Sequence, residues 1–112
     1  MTRDDFAPLT PAVFHILWAL ADGEAHGYGV MQHVQRVGGG RVKMGPGTLY
    51  GTIQRLETQG LIEESSERPD PALDDERRRY YRLTEQGREV LEVEARRLSQ
   101  IVGLLQDAEV LR

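Results

Sequence analysis

Three histidines are the side chains of this sequence best suited to bind metal ions or transfer protons. His15, His26 and His33 all lie in the first third of the chain, but they are not spaced as a metal site, and the chain contains no cysteine. Zinc and transition metals need several nitrogen, sulfur or carboxylate ligands that converge on one point. The sequence therefore predicts no metal site and no cofactor.

One set of residues could serve as a catalytic acid and base. Asp22, Glu24 and His26 combine two carboxylates with an imidazole at close spacing, which is the chemistry of a small hydrolase. They occupy a glycine-flanked turn with no obvious pocket, and the sequence shows no pairing of a nucleophile with a base. We rank a hydrolase last among the candidate functions and predict that the protein is not an enzyme.

Basic side chains are concentrated in one short segment. Arg77, Arg78, Arg79 and Arg82 fall within six consecutive positions that contain no acid, and guanidinium groups bind phosphates well. The whole chain is acidic, with 14 Lys and Arg against 18 Asp and Glu. The acidic excess lies elsewhere, chiefly at residues 63–76 and near the C-terminus, so the arginines can form a basic edge for nucleic acid.

Length and hydropathy restrict the class of protein. A chain of 112 residues suffices for one small domain. No apolar run approaches the roughly 20 residues needed to cross a bilayer, and the first seven residues do not begin a signal peptide. The absence of cysteine fits a reducing compartment. We expect a cytoplasmic protein that makes no contact with membranes.

Two helices are predicted in the first third of the chain. The first covers residues 10–21, begins at the N-cap Thr10, and is apolar on nearly every face. In so short a chain, a second subunit is one way to cover such a helix. The second predicted helix follows residues 26–29 and ends at the glycines 38–40.

A third helix is predicted between Gly45 and Gly60. Its inner face consists of Leu49, Ile53 and Leu56. Just before it, residues 41–44 alternate polar and apolar side chains, which predicts a short strand or an extended link.

The second half of the chain is predicted to hold a hairpin and one long helix. Residues 61–64 and 79–83 have strand character, and the polar segment 65–78 between them is expected to be a mobile loop. Thr84 caps the last helix, which is predicted to extend nearly to the C-terminus. One face of this helix carries apolar side chains at alternating steps of four and three. These side chains are Leu91, Ala95, Leu98, Val102 and Leu105.

This order of elements predicts a mainly α-helical protein with a small β-hairpin. It is typical of a winged helix-turn-helix with a long C-terminal dimerisation helix. We predict a DNA-binding domain at residues 1–83 and a dimerisation helix at residues 84–112.

Four segments resemble the PadR family of bacterial transcriptional regulators. They are LTPAVFHILWAL at residues 9–20, HGYGVM at 26–31, GPGTLYGTIQRLETQG at 45–60 and RRRYYRLTEQGR at 77–88. The single helix after Thr84 is similar to the smaller branch of the family. The resemblance implies a dimeric DNA-binding regulator, usually a repressor and often released by a small hydrophobic or aromatic effector.

The third helix is the predicted DNA-reading element. Leu49, Ile53 and Leu56 are expected to face the core. At 100° per residue, Thr58 and most of the residues that could contact DNA then lie on the opposite face of the helix. The resemblance implies contacts at Thr48, Tyr50 and their neighbours, and at Tyr28. The predicted DNA-binding residues are Tyr28, Gly47, Thr48, Tyr50, Gly51, Gln54, Arg55, Arg77, Arg78 and Arg79.

Each of these assignments has a plain structural alternative. Tyr28 would pack in the core, Tyr50 would pack against the wing, and Arg55 would only solvate its helix. The wing arginines would pair within their own loop with Asp74, Asp75 and Glu76. If they bind DNA, a two-fold dimer favours double-stranded DNA with an inverted repeat.

An effector site is predicted at the dimer interface. Phe14 and Trp18 are four residues apart, so they share a helix face and can meet the last helix of a partner subunit. The predicted pocket or interface comprises Phe14, Trp18, Leu91, Ala95, Leu98, Val102 and Leu105. A well-packed dimer core without a ligand is an equally good interpretation.

A second function of a different class is a protein-interaction scaffold built on the same fold. The net acidity of the chain favours it slightly. Steep loss of DNA binding with salt, dependent on the arginines, separates a DNA-binding regulator from such a scaffold.

Overall fold

A computed structural model describes residues 8–23, 25–42, 44–65 and 79–111. These ranges contain helices α1 (Pro11–Ala21), α2 (Gly27–Gly38), α3 (Pro46–Thr58) and α4 (Glu85–Asp107), and strands β1 (Ala25–His26), β2 (Ile62–Ser65) and β3 (Tyr80–Leu83). The predicted fold class is confirmed: the chain is mainly helical, with a small antiparallel sheet and a long C-terminal helix.

Helix α1 lies at the centre of the core. Its first turn is capped by the Thr10 hydroxyl, which accepts a hydrogen bond from the Val13 amide at 3.2 Å. The helix packs against α2, α4 and β3. Ile16 and Leu17 are completely buried among them. Elements of the same chain therefore cover most of this apolar helix, and Trp18 remains 36% exposed.

The sheet has three strands in the order β1-β3-β2. Strands β2 and β3 form the predicted antiparallel pair, with Ile62 opposite Leu83. Strand β1 was not predicted; it consists of two residues and pairs with β3, where Ala25 lies opposite Tyr81. Because β3 is the central strand, Tyr81 and its neighbour Tyr80 are both buried, whereas a period of two predicts only one buried face.

Two connecting segments, 41–44 and 65–78, were also predicted from the sequence. The described residues of segment 41–44 form no strand, so the extended link is the alternative that the structure contains. Of the predicted loop at residues 65–78, Ser65 belongs to β2. Residues 66–78 lie outside the described residues, and with them Arg77, Arg78 and the acids at 74–76.

The start of α4 is fixed tightly to the sheet. The Thr84 hydroxyl donates to the Gly60 carbonyl at 2.6 Å and accepts from the Gly87 amide at 3.0 Å. The Thr84 amide donates to the Leu61 carbonyl at 3.1 Å. A Cβ atom on Gly87 would lie only 1.9 Å from that same carbonyl oxygen. Glycine is therefore required where the helix meets the strand.

The two halves of α4 have different surroundings. In the first half, Val90 and Glu94 are buried, and the Glu94 carboxylate accepts hydrogen bonds from the Leu9 amide and from Arg97 Nε. In the second half, large apolar side chains remain 38% to 41% exposed; these are Leu98, Ile101, Val102 and Leu105. The winged helix thus holds the start of α4 and leaves an apolar stripe uncovered further along.

Candidate nucleic-acid interface

The outer face of α3 is open to solvent, as its periodicity predicts. Leu49, Ile53 and Leu56 are buried against the core. The residues predicted to face DNA from this helix are all exposed; these are Gly47, Thr48, Tyr50, Gly51, Gln54 and Arg55. Nothing lies within 4 Å of a Cβ placed on Gly47 or Gly51. A smooth surface of this kind allows close approach to a nucleic-acid backbone or groove.

Four of the predicted contacts meet around one cavity between α3, the start of α2 and the sheet. Tyr28, Tyr50, Gln54 and Arg79 all line this cavity, whose volume is about 580 Å³. Tyr28 is 61% exposed and stacks on His26 with 6.3 Å between the ring centroids. The alternative that Tyr28 packs in the core is therefore wrong.

The ring of Tyr50 lies against the backbone of Gly27. A Cβ atom on Gly27 would fall 2.7 Å from both Cε1 and Oη of Tyr50. The side chain of Tyr50 is nevertheless half exposed. The first residue of α2 therefore fixes the direction in which α3 presents this tyrosine, a role for Gly27 that the HGYG motif gave no means of predicting.

Arg55 points to a different side of α3. Its guanidinium donates to the Thr52 hydroxyl at 3.2 Å, and that hydroxyl donates to the Thr48 carbonyl at 2.7 Å. Arg55 also lines a shallow groove beside Leu9 and Thr10. The structure therefore separates Arg55 from the cavity with Tyr28 and Tyr50, and Thr52 emerges as the residue that orients it.

The described part of the wing presents one exposed arginine and one arginine in an ion pair. Arg79 is exposed at the start of the strand and lines the cavity. Arg82 Nε lies 2.8 Å from Glu63 Oε1 across the β2–β3 pair. Arg77 and Arg78 belong to the residues outside the description, so their pairing with the loop acids stays a prediction.

The cavity is also lined by an acidic residue that was not predicted from the sequence to be part of a site. Glu57 of α3 lines it together with Tyr81, which is only 4% exposed. Burial raises the pKa of Tyr81, and the nearby carboxylates of Glu57 and Glu64 raise it further, while Arg79 lowers it. The cavity wall therefore includes a carboxylate, that of Glu57, as well as Arg79.

The predicted effector residues are divided between core and surface. Phe14 is partly buried and lies 6.3 Å from Trp18, centroid to centroid. Leu91 packs against the core of its own chain. The exposed part of the predicted stripe begins at Ala95 and continues through Leu98, Val102 and Leu105.

His33 adds a titratable group beside Trp18. Their rings meet edge to face at 5.2 Å, and His33 Nδ1 lies 3.8 Å from Asp22 Oδ2. Burial lowers the pKa of His33, an effect that Asp22 opposes. Its Nε2 atom is buried without a hydrogen-bond partner. Burial therefore favours the neutral form of this histidine beside the tryptophan.

The remaining expectations from the sequence concern metal binding and membrane insertion. Within the ranges that the structure describes, no group of three or more His, Cys, Asp or Glu side chains is arranged to hold a metal ion. Among the described helices, none has both the length and the apolar character of a membrane span.

The helical core, the exposed face of α3 and the adjacent hairpin define a winged helix-turn-helix DNA-binding protein. Comparison with known sequences agrees with this class. The model of the Transcriptional regulator PadR-like family matches residues 16–93. The chain belongs to this family of transcriptional regulators.

Two relatives show how far the similarity extends. Transcriptional regulator Rv3488 of Mycobacterium tuberculosis is 40% identical over 87 residues, which cover 78% of this chain and 75% of the relative. A 37.1 kDa protein of transposon Tn4556 from Streptomyces fradiae is 38% identical over 95 residues, covering 85% of this chain. The aligned part is 25% of that protein, so this chain spans about a quarter of its length.

Solved structures share the fold. Bordetella bronchiseptica BpsR, whose DNA binding is regulated by 6-hydroxynicotinic acid, has a TM-score of 0.62 and 31% identity, with 83% of this chain and 61% of that chain covered. Bacillus subtilis PadR in complex with operator DNA has a TM-score of 0.60 and 22% identity, with coverage of 76% and 45%.

Proposed function

We propose that the protein is a dimeric repressor that binds an inverted-repeat operator and leaves it when a small hydrophobic or aromatic effector binds. The observation that carries the DNA-binding part is the exposed face of α3, where Gly47 and Gly51 leave room for close approach and Tyr50 and Gln54 stand beside the wing. The operator complex of Bacillus subtilis PadR supports the same use of this fold.

The contacts divide into two kinds in this proposal. Gln54 and Arg55 offer hydrogen bonds to base edges in the major groove, together with the neighbouring residues Thr48 and Tyr50. Tyr28 and the wing arginines 77–79 contact phosphates, which position the protein and supply the salt-sensitive part of the affinity.

Dimerisation is supported by the uncovered stripe of α4. Apolar side chains in water are stabilised by burial at about 25 cal/mol per Å², and Leu98, Val102 and Leu105 follow the spacing of a helix–helix seam. A second copy of α4 offers the complementary surface. In this proposal residues 1–83 bind DNA and residues 84–112 dimerise, although Val90 and Glu94 join the two parts.

Effector release is supported by the position of Trp18 at the edge of the core and by the effector-regulated relative BpsR. A ligand between Trp18 and the partner's α4 would favour a dimer in which the two α3 helices no longer match successive major grooves. Quenching of the fluorescence of Trp18, the only tryptophan in the chain, tests occupancy. Absence of a response to a series of planar hydrophobic compounds would contradict a pocket beside it.

The decisive experiment for DNA binding is a fluorescence-anisotropy titration on DNA from upstream of the protein's own gene, with scrambled DNA as the control. We expect selective binding that weakens steeply with salt. Arg79→Ala should lower the affinity and the salt dependence, whereas Arg96→Ala, which removes an exposed arginine of α4 paired with Glu92, should not. Weak and equal binding to both DNAs would favour the protein-interaction scaffold.

A further inference from the structure

The cavity between α3, α2 and the sheet has a feature that DNA binding does not explain. A surface that receives phosphates should be basic, yet a carboxylate forms part of the wall of this cavity. Glu57 lines it directly, and Glu64 is close enough to act on the same tyrosine. Among the described residues that line the cavity, Arg79 is the one arginine, and it is exposed.

Aromatic side chains form part of the cavity wall. Tyr28 and Tyr50 are 61% and 50% exposed, and the stacked ring of His26 extends the same wall. The faces of such rings carry negative charge and attract cations, most strongly where water is excluded. Several aromatic faces beside a carboxylate are the usual surroundings of an organic ammonium ion in proteins.

A buried tyrosine also lines this space. Tyr81 is more than nine-tenths buried and forms part of the cavity wall. Burial raises the pKa of Tyr81, the carboxylates of Glu57 and Glu64 raise it further, and Arg79 lowers it. Negative charge therefore lies close to this part of the cavity.

We propose that this cavity binds a small organic cation, an ammonium group carried on a compact apolar body, between Tyr28, Tyr50, Glu57 and Tyr81. The volume of about 580 Å³ lies within the range of small-molecule sites, roughly 300–1,000 Å³. This site is separate from the Trp18 groove of the dimer interface.

A cation in this cavity would also compete with DNA. Tyr28, Tyr50, Gln54 and Arg79 line the cavity and are proposed DNA contacts, so ligand and DNA would use the same side chains. The competition depends on the proposed DNA-binding function, whereas binding of the cation does not.

The test is a titration of the full chain with benzyltrimethylammonium, followed through the NMR signals of the tyrosine rings. Signals of Tyr28, Tyr50 and Tyr81 should shift, and those of Tyr80, which does not line the cavity, should not. Benzyl alcohol and benzoate, a neutral and an anionic analogue, should bind at least about fivefold more weakly because they lack the charge. In a parallel anisotropy assay, only the ammonium compound should displace operator DNA.

Two variants with the same change of charge locate the site. Glu57→Gln should weaken binding of benzyltrimethylammonium by roughly five- to tenfold. Glu92→Gln, on the exposed surface of α4, should bind it as the unmodified chain does. Tyr81→Phe keeps the ring and removes the hydroxyl, and it should weaken binding less than Glu57→Gln.

Three results would overturn the proposal. One is equal affinity of all three compounds; another is unchanged affinity in Glu57→Gln. The third is a response of Trp18 fluorescence with no shift of the tyrosine signals, which would place the ligand in the dimer groove. If instead the tyrosine signals shift but the protein binds no operator, the cation site stands and the proposed regulatory function fails.

Discussion

At the scale of single residues, Gly27 determines how the proposed reading helix presents Tyr50. In Gly27→Ala, the new Cβ would overlap the far end of the Tyr50 ring, and this half-exposed ring can swing away at little cost to the fold. We expect thermal stability to change by less than about 1 kcal/mol and operator affinity to fall on the order of tenfold.

The matched control for this variant lies two residues further along α2. An added Cβ on Gly29 meets only ordinary contacts, the nearest at 3.6 Å from Ala25, so Gly29→Ala should leave Tyr50 in place. Thermal denaturation and anisotropy titrations measure the two effects. Equal operator affinities in both variants would show that the position of Tyr50 does not matter for DNA binding.

Glu94 links acid stability to the docking of α4. Its hydrogen bond from Arg97, with help from the Leu9 amide, lowers its pKa below the ordinary value of 4.5, although burial acts in the opposite direction. Because the folded-state pKa is the lower one, the stabilisation is complete above pH 4.5 and is lost as the pH falls through the folded-state pKa.

Replacing Glu94 tests this dependence. Glu94→Gln keeps the shape and an acceptor for the Leu9 amide but removes the charge that faces Arg97. We expect a loss of about 1–2 kcal/mol in the free energy of unfolding at pH 7. Urea denaturation at a series of pH values should show the difference from the unmodified chain shrinking toward pH 3. A difference that does not vary with pH would contradict the assigned role of the charge.

At the scale of elements, the contact between α4 and the sheet depends on Gly87. A Cβ there would lie 1.9 Å from the Leu61 carbonyl oxygen, which is backbone and cannot move aside as a side chain would. Gly87→Ala should therefore cost about 1–3 kcal/mol or more.

Gly103 of the same helix supplies the control, because a Cβ there meets nothing within 4 Å. Gly103→Ala should stabilise the chain by up to about 1 kcal/mol through helix propensity. Thermal denaturation of the two variants measures this difference in stability. A Gly87→Ala protein as stable as Gly103→Ala would contradict the close approach of residue 87 to the Leu61 carbonyl.

Some of the helices and strands could be predicted from the sequence, and others could not. Helices α1, α3 and α4 were predictable because caps such as Thr10 and Thr84 and the apolar periodicity are local features. Strand β1 was not, since its two residues become a strand only by pairing with β3. Glu94 shows the same limit, because its partner Leu9 is 85 residues away. The exposed face of α3 was predictable. The cavity beside it was not, because its shape depends on the relative positions of α2, α3 and the sheet.

At the scale of the whole molecule, the uncovered stripe of α4 would connect assembly with DNA affinity in the proposed dimer. Two joined DNA-binding domains bind an inverted repeat with an avidity that can exceed single-site affinity by about 10²–10⁴-fold. Val102→Glu combined with Leu105→Glu places charge in the proposed seam, beyond Glu94, the last buried residue of α4. The winged helix should stay folded while the proposed dimer dissociates.

Light scattering and DNA titrations measure the two consequences of this double variant. We expect a monomer whose affinity for the inverted repeat falls at least about a hundredfold, to the level of a single half-site, while half-site affinity itself is unchanged. Leu104→Glu is the control, because Leu104 is 68% exposed and outside the seam, and it should remain a dimer. A monomer that binds the full operator as tightly as the unmodified chain would disprove the link, since affinity would then come from each winged helix alone.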